Sequence, residues 1–269
     1  MATFTDIRQR AAMWAREIRR KHRLQTAGPR MTIANEGAKA ADSAAFLSRM
    51  LQFGDSMFPI GAFSFSSGVE SAIQEGVVTN AATLRAFTHT ALEQAARSDC
   101  IALIAAHRAA TANDVDTLSR IDAQVYARKL SGEARSMSVR MGKKFTEMGV
   151  EVVGAPLLRT WREHIEASVT PGCYPVALAI GFAVQFLPAS QAFVVHQYGV
   201  ATTILGAALR LMRVSHIDTQ KILYELTRKA EEAYPAAAAA RLPDMASFAP
   251  LTEILAAVHT RAHVRLFMN

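Results

Sequence analysis

Apolar residues recur at helical spacing along almost the whole chain, and this one habit restricts it to an all-α fold. Leu84, Phe87, Ala91 and Ala95 follow a Thr79-Asn80 cap, Ile101 and Ile104 follow Ser98-Asp99, and Leu118, Ile121, Val125 and Leu130 follow Asn113-Asp114. Met137, Met141, Phe145 and Met148 line one stripe of residues 131–148, and further helices are predicted over 155–168, 174–187, 189–213, 216–233 and 247–259. Gly76 stands where a helix ending wants a left-handed residue. Strand alternation bounded by turns is nearly absent, and 150–153 is too short to build a sheet. The expectation is a single-domain helical bundle of about ten helices, joined by short connections around one core. Gly199, Ala201, Gly206, Ala207 and Ala208 would let another helix approach the segment 191–213, and ordinary buried packing is favoured there over a ligand cleft.

Composition narrows the function. A hydrophobic content of 51% is ample for a core. Cys100 and Cys173 are the only cysteines, which excludes a disulfide framework and favours a reducing compartment, with each thiol read as a small buried hydrophobe. There is no run of eighteen apolar residues and no signal-peptide core, so a cytoplasmic location is expected. The formal net charge is +7, but residues 1–30 carry eight basic against two acidic residues and hold +6 of it. The basic character therefore describes an arm, which argues against a nucleic-acid-binding domain. Residues 1–43 are expected to form this arm and a disordered linker, 44–258 the helical domain and 259–269 a tail. Two readings of the arm stay open: a true start at Met31, or a basic amphipathic helix over 7–23 around Ala11, Met13, Trp14 and Ile18.

Residues 52–70 join a tight turn to unusual aromatic content. Pro59 fixes its own φ and pushes Phe58 out of the helical region, and Gly61 turns the chain where a side chain would clash. Phe63 and Phe65 then alternate with Ser64 and Ser66 on a short extended link. Ser67 with Glu70 reads as a capping box opening the next helix. The two rings either plug the core or face a partner.

No reaction centre is legible. Gly-x-Gly-x-x-Gly, the phosphate-binding Gly-x4-Gly-Lys-Ser/Thr, Gly-x-Ser-x-Gly and His-Glu-x-x-His are all missing. His259 and His263, four apart, could place two imidazoles on one face, and a metal-dependent helical enzyme built on them is the alternative reading; exposed tail histidines are the simpler one. Asp55, Glu70 and Glu133 are explained by surface or capping roles. Arg210 follows the apolar run 200–209, so its guanidinium needs a planar partner, a carboxylate or backbone carbonyls. Arg265-Leu266-Phe267 lies three residues from the end, where an apolar pair gains nothing in solvent and much in another protein's groove. An interaction protein without catalytic, cofactor or metal residues is expected.

Three ordered segments resemble the urease accessory protein F (UreF) family: the leucine-rich 47–51 with Pro59-Ile60-Gly61-Ala62-Phe63-Ser64, Phe65-Ser66 and Gly68-Val69-Glu70; Gly206 through Arg210-Leu211 to Gln220; and His259 with Arg265-Leu266-Phe267. Arg213, Ser215, His216 and 260–264 depart from the family pattern. The resemblance implies an all-α scaffold that dimerises, binds the UreD/UreH accessory protein partly through its tail, and helps dock the GTPase UreG in a complex that delivers nickel to apo-urease. It assigns the UreD/UreH contact to Arg265, Leu266 and Phe267. Phe63, Phe65, Glu70 and Arg210 with Gln220 are implied at the dimer or GTPase face.

Overall fold

Capping residues set where the helices begin. The computed structural model describes residues 44–246, 249–259 and 265–268. They form α1 (Ala44–Gly54), α2 (Val69–Gln74), α3 (Ala81–Arg97), α4 (Asp99–Thr111), α5 (Val115–Arg128), α6 (Gly132–Val152), α7 (Pro156–Glu166), α8 (Tyr174–Ala183), α9 (Ala189–Leu211), α10 (His216–Thr227), α11 (Ala230–Ala239) and α12 (Pro250–His259), with short 3-10 turns at Ala62–Ser64 and Leu242–Asp244. Among the described residues there is no strand, and the fold is all-α. The expectations that rest on the basic arm and linker lie outside these residues, as does His263.

Asn80 accepts from the amides of Ala82 and Thr83 and opens α3, Asp114 accepts from Thr117 N and opens α5, and Ser131 accepts from Ala134 N and opens α6. Gly76 adopts φ +70 just past α2. The helix expected over 216–233 is two: Ser215 and Asp218 box the start of α10, and the chain breaks after Thr227 before α11 begins at Ala230. The stretch 150–153 is the end of α6 and its C-cap, Val153.

The expected single core is two apolar clusters. One surrounds α4 and α8 and includes Phe53, Phe58, Phe145, Trp161, Phe182 and Phe193; the other gathers Val69, Leu84, Leu205, Ile222, Leu255 and Phe267. The 23 residues of α9 run through both, with Ala192 and Phe193 in the first and Ala201, Ile204 and Ala207 in the second. This helix is long and apolar enough to cross a membrane, but it packs against α3, α4 and α10 as a core helix. Both cysteines are buried and unbridged.

One loop is held unusually close. Buried Asp122 accepts from Thr170 Oγ1 at 2.6 Å, Gly172 N at 2.6 Å and Cys173 N at 2.8 Å. Burial pushes its carboxyl up even though these bonds pull it down. The pinned loop rests directly on α6, where a Cβ on Gly142 would overlap the Gly172 carbonyl oxygen.

Candidate functional site

The turn after α1 is built from left-handed residues. Gly61 has φ +80, Ser67 φ +52 and Gly68 φ +82. Gly68 is the N-cap of α2 and no side chain caps it, so the expected Ser67–Glu70 capping box does not form. The 3-10 turn replaces the expected extended link and separates the two rings. Phe65 goes into the core at 4% exposure, and Phe63 stands out at 69%.

Freed from capping, Glu70 takes a different role. Its carboxylate, 2% exposed, accepts from Leu266 N at 2.7 Å and Phe267 N at 3.1 Å, and lies 3.1 Å from His259 Nε2. The other ring nitrogen of His259 is 3.0 Å from Glu133 Oε2, and Arg265 Nη1 donates to Glu133 Oε1 at 3.3 Å. His259 is fully buried, which corrects the reading of an exposed tail histidine. Both its nitrogens are occupied by carboxylates, and among the described residues no group of three His, Cys, Asp or Glu is arranged for a metal.

The tail continues over the turn. Met268 N donates to Ser64 O at 2.9 Å, and the Phe267 ring is buried beneath Arg210, whose guanidinium carbon lies 4.3 Å from the ring centroid. Arg210 Nη2 donates to Phe63 O at 3.0 Å and Nε to Gly206 O at 3.3 Å. The planar partners that Arg210 needed are therefore backbone carbonyls and a ring. The three sequence segments, far apart along the chain, meet here. Phe267 docks on its own chain, which corrects the expectation that the apolar pair of the tail is buried by another protein's groove. Leu266 points out to solvent, Arg265 is partly exposed, and Gln220 lies apart from the tail on an exposed face of α10.

Phe63, Arg210 and Gln220 border a cavity of about 410 Å³ that sequence reasoning missed. Gly199, Thr202 and Gly206 form part of its wall, and a Cβ on either glycine would meet nothing within 4 Å. The small residues of α9 thus divide: Ala201, Ala207 and Ala208 are packed as expected, and the glycines face open space. At the inner end Lys129 Nζ pairs with Asp99 at 2.8 Å, and the Tyr174 ring stacks on His196. Burial alone would raise Asp99, but Lys129 and then His196 outweigh it and hold the carboxyl below its ordinary range. Burial pushes His196 down to about 4 against the pull of Asp99, so the ring is neutral near pH 7.

Residues 78–227, more than half the chain, match the sequence profile of the UreF family. The chain is 56% identical over 223 residues to urease accessory protein UreF 1 of Brucella melitensis, covering 83% of this chain and 92% of that one. It is 51% identical over 227 residues to urease accessory protein UreF of Yersinia pseudotuberculosis serotype IB, covering 84% of this chain and all of that one. The chain belongs to the UreF family.

Proposed function

We propose that this chain serves urease maturation in the cytoplasm as a non-catalytic scaffold, binding the UreD/UreH accessory protein and the GTPase UreG in the complex that delivers nickel to apo-urease. The observation that carries this reading is the convergence of the turn, Arg210 and the tail around buried Glu70 in a member of the family. Glu70 and Arg210 are used there for holding backbone, and the outward groups include the apolar Phe63, Leu266 and Met268 beside Arg265. Phe63, Leu266 and Met268 stand around the docked tail as anchors for a partner. Phe267 acts as the inward peg that presents them.

The homodimer of this reading fits the groove over α9. Met57, Phe63 and Tyr198 rise beside the floor of Gly199, Thr202 and Gly206. Gly54, next to Asp55, packs on Val195, and fifteen residues of helix, roughly 22 Å, separate Val195 from Arg210. Two copies of α9 laid antiparallel bring Asp55 of one against Arg210 of the other at both ends, a self-complementary arrangement suited to two-fold symmetry.

Co-purification with the urease accessory proteins tests the function. The full chain is expected to capture UreD/UreH and UreG, and a chain lacking 263–269 to lose UreD/UreH. Failure of the full chain to capture either protein overturns the scaffold reading, and capture that survives the deletion overturns the tail contact.

A further inference from the structure

Among the described residues, a groove of about 570 Å³ between α6 and the loop after α7 shares no lining residue with the cavity over α9 or with the docked tail. A partner seated there leaves both of those faces free. Its loop side is pinned through Asp122, which holds Thr170, Gly172 and Cys173, and Gly142 lets that loop rest on α6. The site is therefore built before anything binds.

Two cations stand in this groove. Arg135 donates its Nε to Lys129 O at 2.6 Å, and its guanidinium carbon lies 5.5 Å from the Tyr126 ring centroid, so the head group is held in place. Its Nη atoms have no partner among the described residues, and neither has Lys143 Nζ. Among those residues no carboxylate lines the groove. The two cations are eight positions apart on α6, about 12 Å along the axis. Between them the surface is apolar: Val139 lies about one turn from each, with Ile165 and Pro171 on the other wall.

We infer that this groove takes an extended acidic segment of a partner protein, in which two carboxylates flank one apolar side chain. In an extended chain alternate side chains point the same way, and residues four apart are separated by about 13 Å. A Glu-x-Leu-x-Glu segment thus sets one carboxylate at Arg135, the other at Lys143 and the leucine over Val139. The free Nη groups of Arg135 suit the two oxygens of one carboxylate. Val169, exposed between the lining residues Ser168 and Thr170, adds apolar contact at the edge. A nucleic-acid strand fits less well, because it carries a charge at every phosphate and sets one over the apolar middle. Residues 1–30 of this chain, with eight basic against two acidic residues, have the wrong sign. The inference goes beyond the scaffold reading and does not depend on it.

The test is fluorescence anisotropy of a labelled Gly-Glu-Ser-Leu-Ser-Glu-Gly peptide, titrated with the purified full chain in about 50 mM salt. The same peptide with both Glu replaced by Gln is the comparison. Saturable binding below about 1 mM is expected, about fivefold or more weaker for the Gln peptide and weakened further as salt rises to about 0.5 M. Lys143→Glu, which breaks no bond among the described residues, is expected to weaken the Glu peptide about tenfold or more. Lys221→Glu makes the same charge reversal at an exposed position of α10 and is expected to change the affinity by less than about twofold. Equal affinity for the two peptides, no binding of either, or wild-type affinity in Lys143→Glu overturns the proposal. So does an equal loss in the two charge variants, which would mark a diffuse charge effect. A short single-stranded oligonucleotide that binds more tightly than the Glu peptide and weakens in Lys143→Glu would assign the groove to phosphate and overturn it too. No accessory protein is present, so this result and the co-purification stand or fall separately.

Discussion

Glu70 and Phe267 are 197 residues apart in sequence and joined by a 3.1 Å hydrogen bond between a buried carboxylate and a main-chain amide. Replacing Glu70 with Ala leaves two amides and an imidazole without their acceptor, at about 1–3 kcal/mol for each group that stays buried. Glu70→Ala is therefore expected to lower stability by about 3 kcal/mol and to free the tail. Thermal unfolding and proteolytic release of the last residues measure the two effects, and a protected tail at unchanged Tm would show that Glu70 does not hold it.

Arg210 ties the turn, α9 and the tail through two carbonyls and one ring. Lysine cannot reproduce that planar fork. Arg210→Lys is expected to lose about 1–2 kcal/mol, nearly as much as Arg210→Ala, by chemical denaturation. A lysine variant as stable as the wild type contradicts the stapling role.

Gly206→Arg inserts a charged side chain into open space, so the fold is expected to survive while self-association weakens about tenfold or more, read by analytical ultracentrifugation. Asp55→Arg and Arg210→Glu chains are each expected to dimerise poorly alone and to pair when mixed, because both cross-contacts then join opposite charges. Dimers indifferent to all three changes use another face.

Folding keeps the proton off His196. The ring titrates near 6.5 when exposed and at about 4 when buried, so the stability it contributes is intact above about pH 6.5 and is lost as pH falls toward 4, by about 3 kcal/mol in all. Asp99, held below its ordinary range by Lys129 and His196, loses stability in the same direction. Melting temperature should fall with acidification across this window and fall less steeply in His196→Gln. Parallel slopes for the two proteins would remove His196 from the acid limb.

Gly142 and Gly206 look alike in the sequence and should behave oppositely. A methyl on Gly142 strikes the Gly172 carbonyl, so Gly142→Ala is expected to lose 3 kcal/mol or more, on the order of an overpacked core site. Gly206→Ala is expected to gain about 0.5–1 kcal/mol from helix propensity. Two denaturation curves decide the matter.

These glycines also show where sequence reading stops. Helical spacing and caps such as Asn80 and Asp114 are local signals, and the all-α fold followed from them. Which side of α9 faces a neighbour is not local, so Ala207 and Gly206 could not be told apart. Glu70 was misassigned for a similar reason: a carboxylate three residues after Ser67 suits a capping box, and only the left-handed Ser67 and Gly68 reveal that the box is absent. A usable sign was present at His259, which stands four residues after buried Leu255 and so shares its inward face. Asp99, Lys129 and His196 come from three different helices or their ends, and no spacing rule connects them.

A single helix belonging to both apolar clusters has a thermodynamic consequence. Neither half of the molecule can melt while α9 stays intact in the other, so the domain should unfold in one concerted transition, and a ligand gripping the tail end should raise the melting point of the distant aromatic end as well.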